Sequence, residues 1–178
     1  MELKDDITQL NNIHDLLADS RKGYMEAADK ADNGHVKELL NRLASSRVQL
    51  LSEVVALSRQ ADPSKEPREA GTLKGDLHRA WMDIREALSS NDSTSMLNEC
   101  ERGEQYLLDR YDAVLDKEVS SPTRALATSQ RATVQQNLDH VKQVSKTMEL
   151  AEKEISIPEA RSPIIVQRHL AFLFHERS

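Results

Sequence analysis

The sequence predicts an all-α protein: an antiparallel four-helix bundle with a short helical crossover and a C-terminal extension. Three observations carry this. Only 5 Gly and 5 Pro interrupt 178 residues rich in Leu, Ala, Glu, Lys and Arg, the composition of a helical chain. Apolar residues recur at helical spacing through long stretches, so one face of each is turned toward a core. No strand alternation, internal repeat or low-complexity segment competes with that pattern. Aromatic residues are only 3%, so aliphatic side chains must fill the interior.

The first helix is expected over roughly Asp5–Ala31, with Leu3, Ile7, Leu10, Ile13, Leu17, Tyr24, Ala28 and Ala31 on one stripe. Asp32-Asn33-Gly34 breaks it, a turn signature in which Asn or Gly can take a positive φ. The second helix, roughly His35–Ala61, aligns Val36, Leu39, Leu43, Ser46, Leu50, Val54 and Leu57. Asp62-Pro63-Ser64-Lys65-Glu66-Pro67 then stops it. A shorter third helix, roughly Thr72–Ser89, carries Leu73, Leu77, Trp81, Ile84 and Leu88, with Trp81 as its core anchor. Asn91-Asp92-Ser93 is a turn that also caps the fourth helix, roughly Ser93–Glu118. Ser120-Ser121-Pro122 turns the chain again, with Pro at the first helical position. The fifth helix, roughly Pro122–Ala151, uses Leu126, Val134, Leu138, Val141, Val144 and Met148.

Four of these segments are long, roughly 40 Å at about 1.5 Å per residue. The short loops at 32–34 and 119–121 fold them into two antiparallel hairpins, and the shorter helix between the hairpins is the crossover. Residues 1–152 are thus expected to form the bundle and 153–178 a separate tail.

Composition also bounds function. A chain of 178 residues is long enough for one domain with a real core. A net charge of −6, with no basic run to track phosphates, argues against a nucleic-acid partner. The lone Cys100 excludes an intramolecular disulfide and fits a reducing compartment. Met1-Glu2-Leu3-Lys4-Asp5-Asp6 leads straight into a polar helix with no signal peptide, and no apolar run is long enough to span a bilayer. The expectation is a cytoplasmic protein.

The most informative stretch is Glu99-Cys100-Glu101-Arg102-Gly103-Glu104, within the fourth helix. Its flanks are apolar at Met96, Leu97, Cys100, Leu107, Leu108, Tyr111, Val114 and Leu115. At about 100° per residue, Glu104 lies on the centre line of that stripe and Glu101 at its edge, while Glu99 and Arg102 face out. A carboxylate aimed inward is costly unless a cation, a metal or hydrogen bonds receive it.

Gly23-Tyr24, Glu53, His78-Arg79-Ala80-Trp81, the Glu99–Glu104 run, Tyr111, Gln130 and His140, in this order, resemble a bacterial family. It is a family of uncharacterised ferritin-like four-helix-bundle proteins, known as a domain of unknown function. The resemblance covers roughly residues 5–148 and implies a ferritin-like fold. It implies little about activity.

Well-known ferritin-like proteins hold two irons or manganese ions with a Glu from each of two helices and a Glu-x-x-His pair from each of the others. This chain meets that pattern badly. Asp15, Asp19 and Glu26 point away from the Leu10–Leu17–Tyr24 stripe, and three residues after Glu53 stands Ala56. The fifth helix offers Asn137-x-x-His140, with Asn in place of the carboxylate. A metal centre of iron or manganese, with Glu53, Glu101, Glu104 and His140 as ligands, is therefore the alternative reading. It would make the protein an oxidoreductase or a metal store.

The preferred reading is a buried polar layer with no cofactor. Arg21 projects onto the stripe of the first helix, and Arg47 sits at the edge of the second. Both lie near the midpoint of their helices, as do Glu104 and Asn137, with Glu53, Glu101 and Gln130 within a few turns. Guanidiniums beside inward carboxylates form charge-assisted pairs, and such a layer can fix helix register. They would also repel a divalent cation.

Other residues have ordinary roles. His78 is a boundary residue of the crossover, His14 flanks the core side of the first helix, and Cys100 is an inert buried thiol. Gly103 permits close helix approach. No Ser-His-Asp, Cys-His, P-loop, dinucleotide or Cys-x-x-Cys motif supports an enzyme. In the tail, Ile164–Phe174 is strongly apolar and holds both Phe residues of the chain. It is read as a segment that docks on the bundle, on that of a dimer mate, or on another protein. The expected function is a non-enzymatic, homo-oligomeric bundle, with a dimer favoured, acting through assembly or partner contact. A role in stress adaptation rests on analogy with ferritin-like relatives.

Overall fold

The polar punctuation read from the sequence becomes helix caps. In the computed structural model, residues 2–62 and 92–156 are described. They form four helices, with no strand among them: α1 (Glu2–Lys30), α2 (Gly34–Ala61), α3 (Ser93–Leu115) and α4 (Ser121–Ser156). The expected crossover helix at 72–89, with His78 and Trp81, and the apolar tail at 164–174 lie outside the described residues.

Between α1 and α2 the turn differs from the expected positive-φ device. Asn33 is the N-cap of α2 in extended backbone (φ −74°, ψ 118°), and Gly34 is already the first helical residue. The Asn33 side chain accepts from the N–H groups of His35 and Val36, satisfying donors the helix leaves orphaned. Asp92 caps α3 in the same way, accepting from Thr94 and Ser95 N–H at 3.1 Å each. Pro122 falls in the first turn of α4, where its missing N–H costs nothing.

The chain divides into two compact units, Met1–Ser145 and Lys146–Ser178. Within the first, all four helices contribute to one apolar cluster. Leu10, Ile13 and Leu17 meet Leu50 and Val54, then Leu107, Leu108, Tyr111 and Val114, then Ala127, Val134 and Leu138. Around the α1–α2 turn, Ala27, Ala28, Ala31 and Ala44 are buried together with Val36, Leu39, Leu40 and Leu43. The described part of the second unit is the end of α4, where Leu150 is exposed.

Side-chain pairs fix the order of residues along neighbouring helices. Ser20 on α1 meets Arg47 on α2. Between α3 and α4, Tyr111 meets Gln130 and Asp112 meets Arg131, while Arg124 donates to the carbonyls of Leu115 and Lys117. Between α2 and α4, Ser46 meets Asn137 and Glu53 meets Gln130. Asp6, 5% exposed, accepts from Ser120 N–H at 2.9 Å and so ties the start of α1 to the α3–α4 connection. Among the described residues, no helix is long and apolar enough to cross a membrane.

Candidate functional site

Glu104 has Cys100 one turn before it and Leu107 and Leu108 one turn after, all buried, so its carboxylate has no route to water along its own helix. Two groups receive it. Arg47 on α2 pairs with it through Nη2 and Oε1, both side chains being 0% exposed. Tyr24 on α1 donates its hydroxyl to the same Oε1 at 2.5 Å. Arg47 is itself steered by α1. Its Nε donates to Ser20 Oγ at 2.9 Å, and its guanidinium carbon lies 5.6 Å from the centre of the Tyr24 ring.

The electrostatics follow from enclosure. Burial works most strongly, and against the charge of Arg47, but the Glu104 charge, the Tyr24 phenol and the hydrogen bond to Glu104 together outweigh it and hold the guanidinium above its ordinary value. Burial first, then the Glu104 charge, pushes the Tyr24 phenol well up, so it stays a hydrogen-bond donor. The same two causes push up the Cys100 thiol, which leaves it protonated and chemically inert, as expected from its apolar flank.

A second cluster is centred on Gln130 of α4, which is fully buried. Its Oε1 accepts from Tyr111 OH at 2.8 Å. Its Nε2 donates to the Leu50 carbonyl at 2.8 Å and to Glu53 Oε2 at 2.9 Å. Burial raises the Tyr111 phenol too. Nearby, Asn137 Nδ2 donates to Ser46 Oγ at 2.9 Å.

The expected layer is thus assembled in part, with changes of membership. Arg47, Glu53, Glu104, Gln130 and Asn137 all engage partners across helices, whereas Arg21 is exposed and belongs to neither cluster. Ser20, one residue earlier, takes the inward place. The buried set of α1 includes Gln9, Ser20 and Ala27, and these swing its centre line until Arg21 lies about 70° away. On α2, Leu40 and Ala44 swing the line toward Arg47, which ends about 20° from it and not at the edge. Glu101 is half-buried, as its edge position requires.

Glu99, expected to face out, is buried at 8%, with Arg102 Nη1 lying 2.8 Å from its Oε1. The pair is three residues apart on one helix, and the long Arg102 side chain shields the shorter acid. Asp19 was expected to point away from the core. It is instead half-buried, with Oδ2 enclosed. Tyr24 and Tyr111 stand on the apolar stripes, and their hydroxyls link the two clusters to α1 and α3. The signal was present, because a buried phenol always needs a partner.

The four candidate metal ligands do not form a donor set. Glu104 is engaged by Arg47 and Tyr24, Glu53 by Gln130, and His140 is half-buried on α4. Among the described residues no group of three or more His, Cys, Asp or Glu side chains is placed to hold an ion.

No curated protein matches this chain. A family match covers α1, α2 and α3 and ends before Gln130, Asn137 and His140, short of the 5–148 span of the resemblance read from the sequence. That match, over residues 5–117, is to the family described as Domain of unknown function (DUF2383), and the chain belongs to this family.

Proposed function

We propose that the chain is a non-enzymatic, cytoplasmic, ferritin-like bundle that acts through assembly or partner contact. One observation carries this reading: the inward carboxylate of Glu104 is received by Arg47 and Tyr24, not left open for an ion. In a ferritin-type metal centre that position would present free carboxylate oxygens to the bundle axis. Here a guanidinium occupies it and would repel a divalent cation.

Residue order along the helices supports the ferritin-like arrangement. Partner numbers fall on one side as they rise on the other for α1 with α3 and the connection that follows it (Tyr24–Glu104, Asp6–Ser120), for α2 with α4 (Ser46–Asn137, Glu53–Gln130) and for α3 with α4. The three-residue link between α1 and α2 makes those two antiparallel as well. A long connection between α2 and α3 then joins two parallel helices, the topology of a bundle with one crossover.

Metal analysis of protein purified without chelators, repeated after iron or manganese loading, tests the reading. Substoichiometric metal throughout is the expected result, and stoichiometric metal would overturn it. Light scattering on the same samples is expected to give a dimer. The stress link stands on fold analogy alone, so its test is phenotypic: loss of the gene should sensitise cells to oxidant or starvation.

A further inference from the structure

Two enclosed atoms of the Arg47–Glu104 pair are left over once its known bonds are made. Nη1 of Arg47 and Oε2 of Glu104 are both buried and have no hydrogen-bond partner among the described residues. They belong to the same ion pair, which is closed through the other arms, Nη2 and Oε1. Oε1 accepts twice, from Arg47 and from Tyr24, while Oε2 accepts from neither. A charged group with an unmade bond in the interior is expensive, more so than immobilising a single water.

Covalent geometry keeps the two leftover atoms together. Each lies about 2.3 Å from the bonded atom of its own group, so they are separated by roughly 7 Å at most. One water spans two partners up to roughly 6 Å apart and offers the right pairing, an oxygen toward the guanidinium and a hydrogen toward the carboxylate. We propose that a single water molecule is bound in the core of the bundle, accepting from Arg47 Nη1 and donating to Glu104 Oε2. Ser20 and Tyr24 hold the opposite sides of the pair, on Nε and Oε1, and so direct the open side toward this water. The bound species is water and not an anion or a cation, because the paired charges already cancel and an added ion would be uncompensated.

This inference rests on the ion pair that carries the proposed function, and one experiment separates the two. A crystal structure of the full chain, at a resolution that shows ordered solvent, is expected to place one water within hydrogen-bond distance of both Nη1 and Oε2. Nη1 and Oε2 bonded directly to each other in a two-armed pair would overturn the water and leave the proposed function standing. So would a protein side chain seated between them. Arg47 and Glu104 found apart would overturn both.

Discussion

Around Arg47 the core holds a full charge pair, whereas around Gln130, with Leu50 about one helical turn from Arg47, it holds a neutral amide. Both clusters join three helices and both use a buried tyrosine as donor. They differ in how completely they are satisfied. Gln130 makes three bonds with its two terminal atoms, to Tyr111, Leu50 and Glu53. The charge pair instead concentrates its bonds on one carboxylate oxygen and leaves the other enclosed and bare among the described residues. A neutral amide fits a site where donors and acceptors can be matched one by one. An ion pair contributes little net stability, but either half alone is intolerable, which makes it the stricter lock on which helices meet.

The sharpest way to break the comparison is to remove half of the pair. Glu104→Gln leaves the Arg47 charge uncompensated at 0% exposure and is expected to cost about 3–5 kcal/mol, read from the urea unfolding midpoint. Arg47→Met is expected to cost a similar amount by stranding Glu104. Replacing both together, Arg47→Met with Glu104→Leu, should recover most of that loss, because no charge is then buried, and fall short of wild type only by about 1–3 kcal/mol for the lost acceptor of the Tyr24 hydroxyl. If the double variant is instead as unstable as the singles added, packing and not charge is what the pair supplies.

The amide cluster should break more gently. Gln130→Leu strands the Tyr111 hydroxyl and takes a donor from Glu53, while the Leu50 carbonyl keeps its helical bond, with an expected loss of about 2–3 kcal/mol and no rescue by a second substitution at Arg47. Removing single hydroxyls sharpens the contrast further. Tyr24→Phe deletes a bond to a charged acceptor and should cost about 2 kcal/mol, while Tyr111→Phe deletes one to a neutral amide and should cost about 1 kcal/mol. Equal losses in the two would mean that the Glu104 charge adds nothing to the Tyr24 bond.

How much of this was legible in the residues depends on what kind of residue was asked. The helices and their stripes were legible because Leu, Ile and Val at helical spacing leave one workable packing face. Glu104 was legible for the same reason, since the eight apolar residues of its stripe fix its direction. Arg21 and Arg47 were not separable, because each lies within a side-chain length of its stripe. The choice was settled by Ser20, Ala27 and Ala44, small residues whose burial no hydrophobicity count weighs heavily. Together with Gln9 and Leu40 they set where α1 and α2 pack, and that displacement carries Arg47 in and Arg21 out. Glu99 failed differently: its burial comes with a same-helix partner, Arg102, and depends on rotamers that periodicity does not encode.

The smallest expected effect lies on the outer flank of α1, away from both clusters. Asp19 has its carboxyl pushed up to about 6 from 3.8, first by burial and then by the Asp15 charge one turn earlier, with Lys22 and His14 pulling the other way. A raised folded value means the native state binds the proton more tightly than the unfolded chain. The ionised carboxylate therefore weakens the fold above pH 6, and stability should rise as pH falls through about 6 toward 4. Because the side chain keeps contact with water, the gain should be modest, about 1 kcal/mol. Asp19→Asn mimics the protonated form, so its stability should exceed that of wild type at pH 7.5 and converge with it by about pH 4.5. Urea midpoints of the two proteins across that range check the sign directly. A gap that widened on acidification would mean that the Asp19 carboxylate is favourably paired in its charged form, the reverse of what an enclosed oxygen beside a second acid demands.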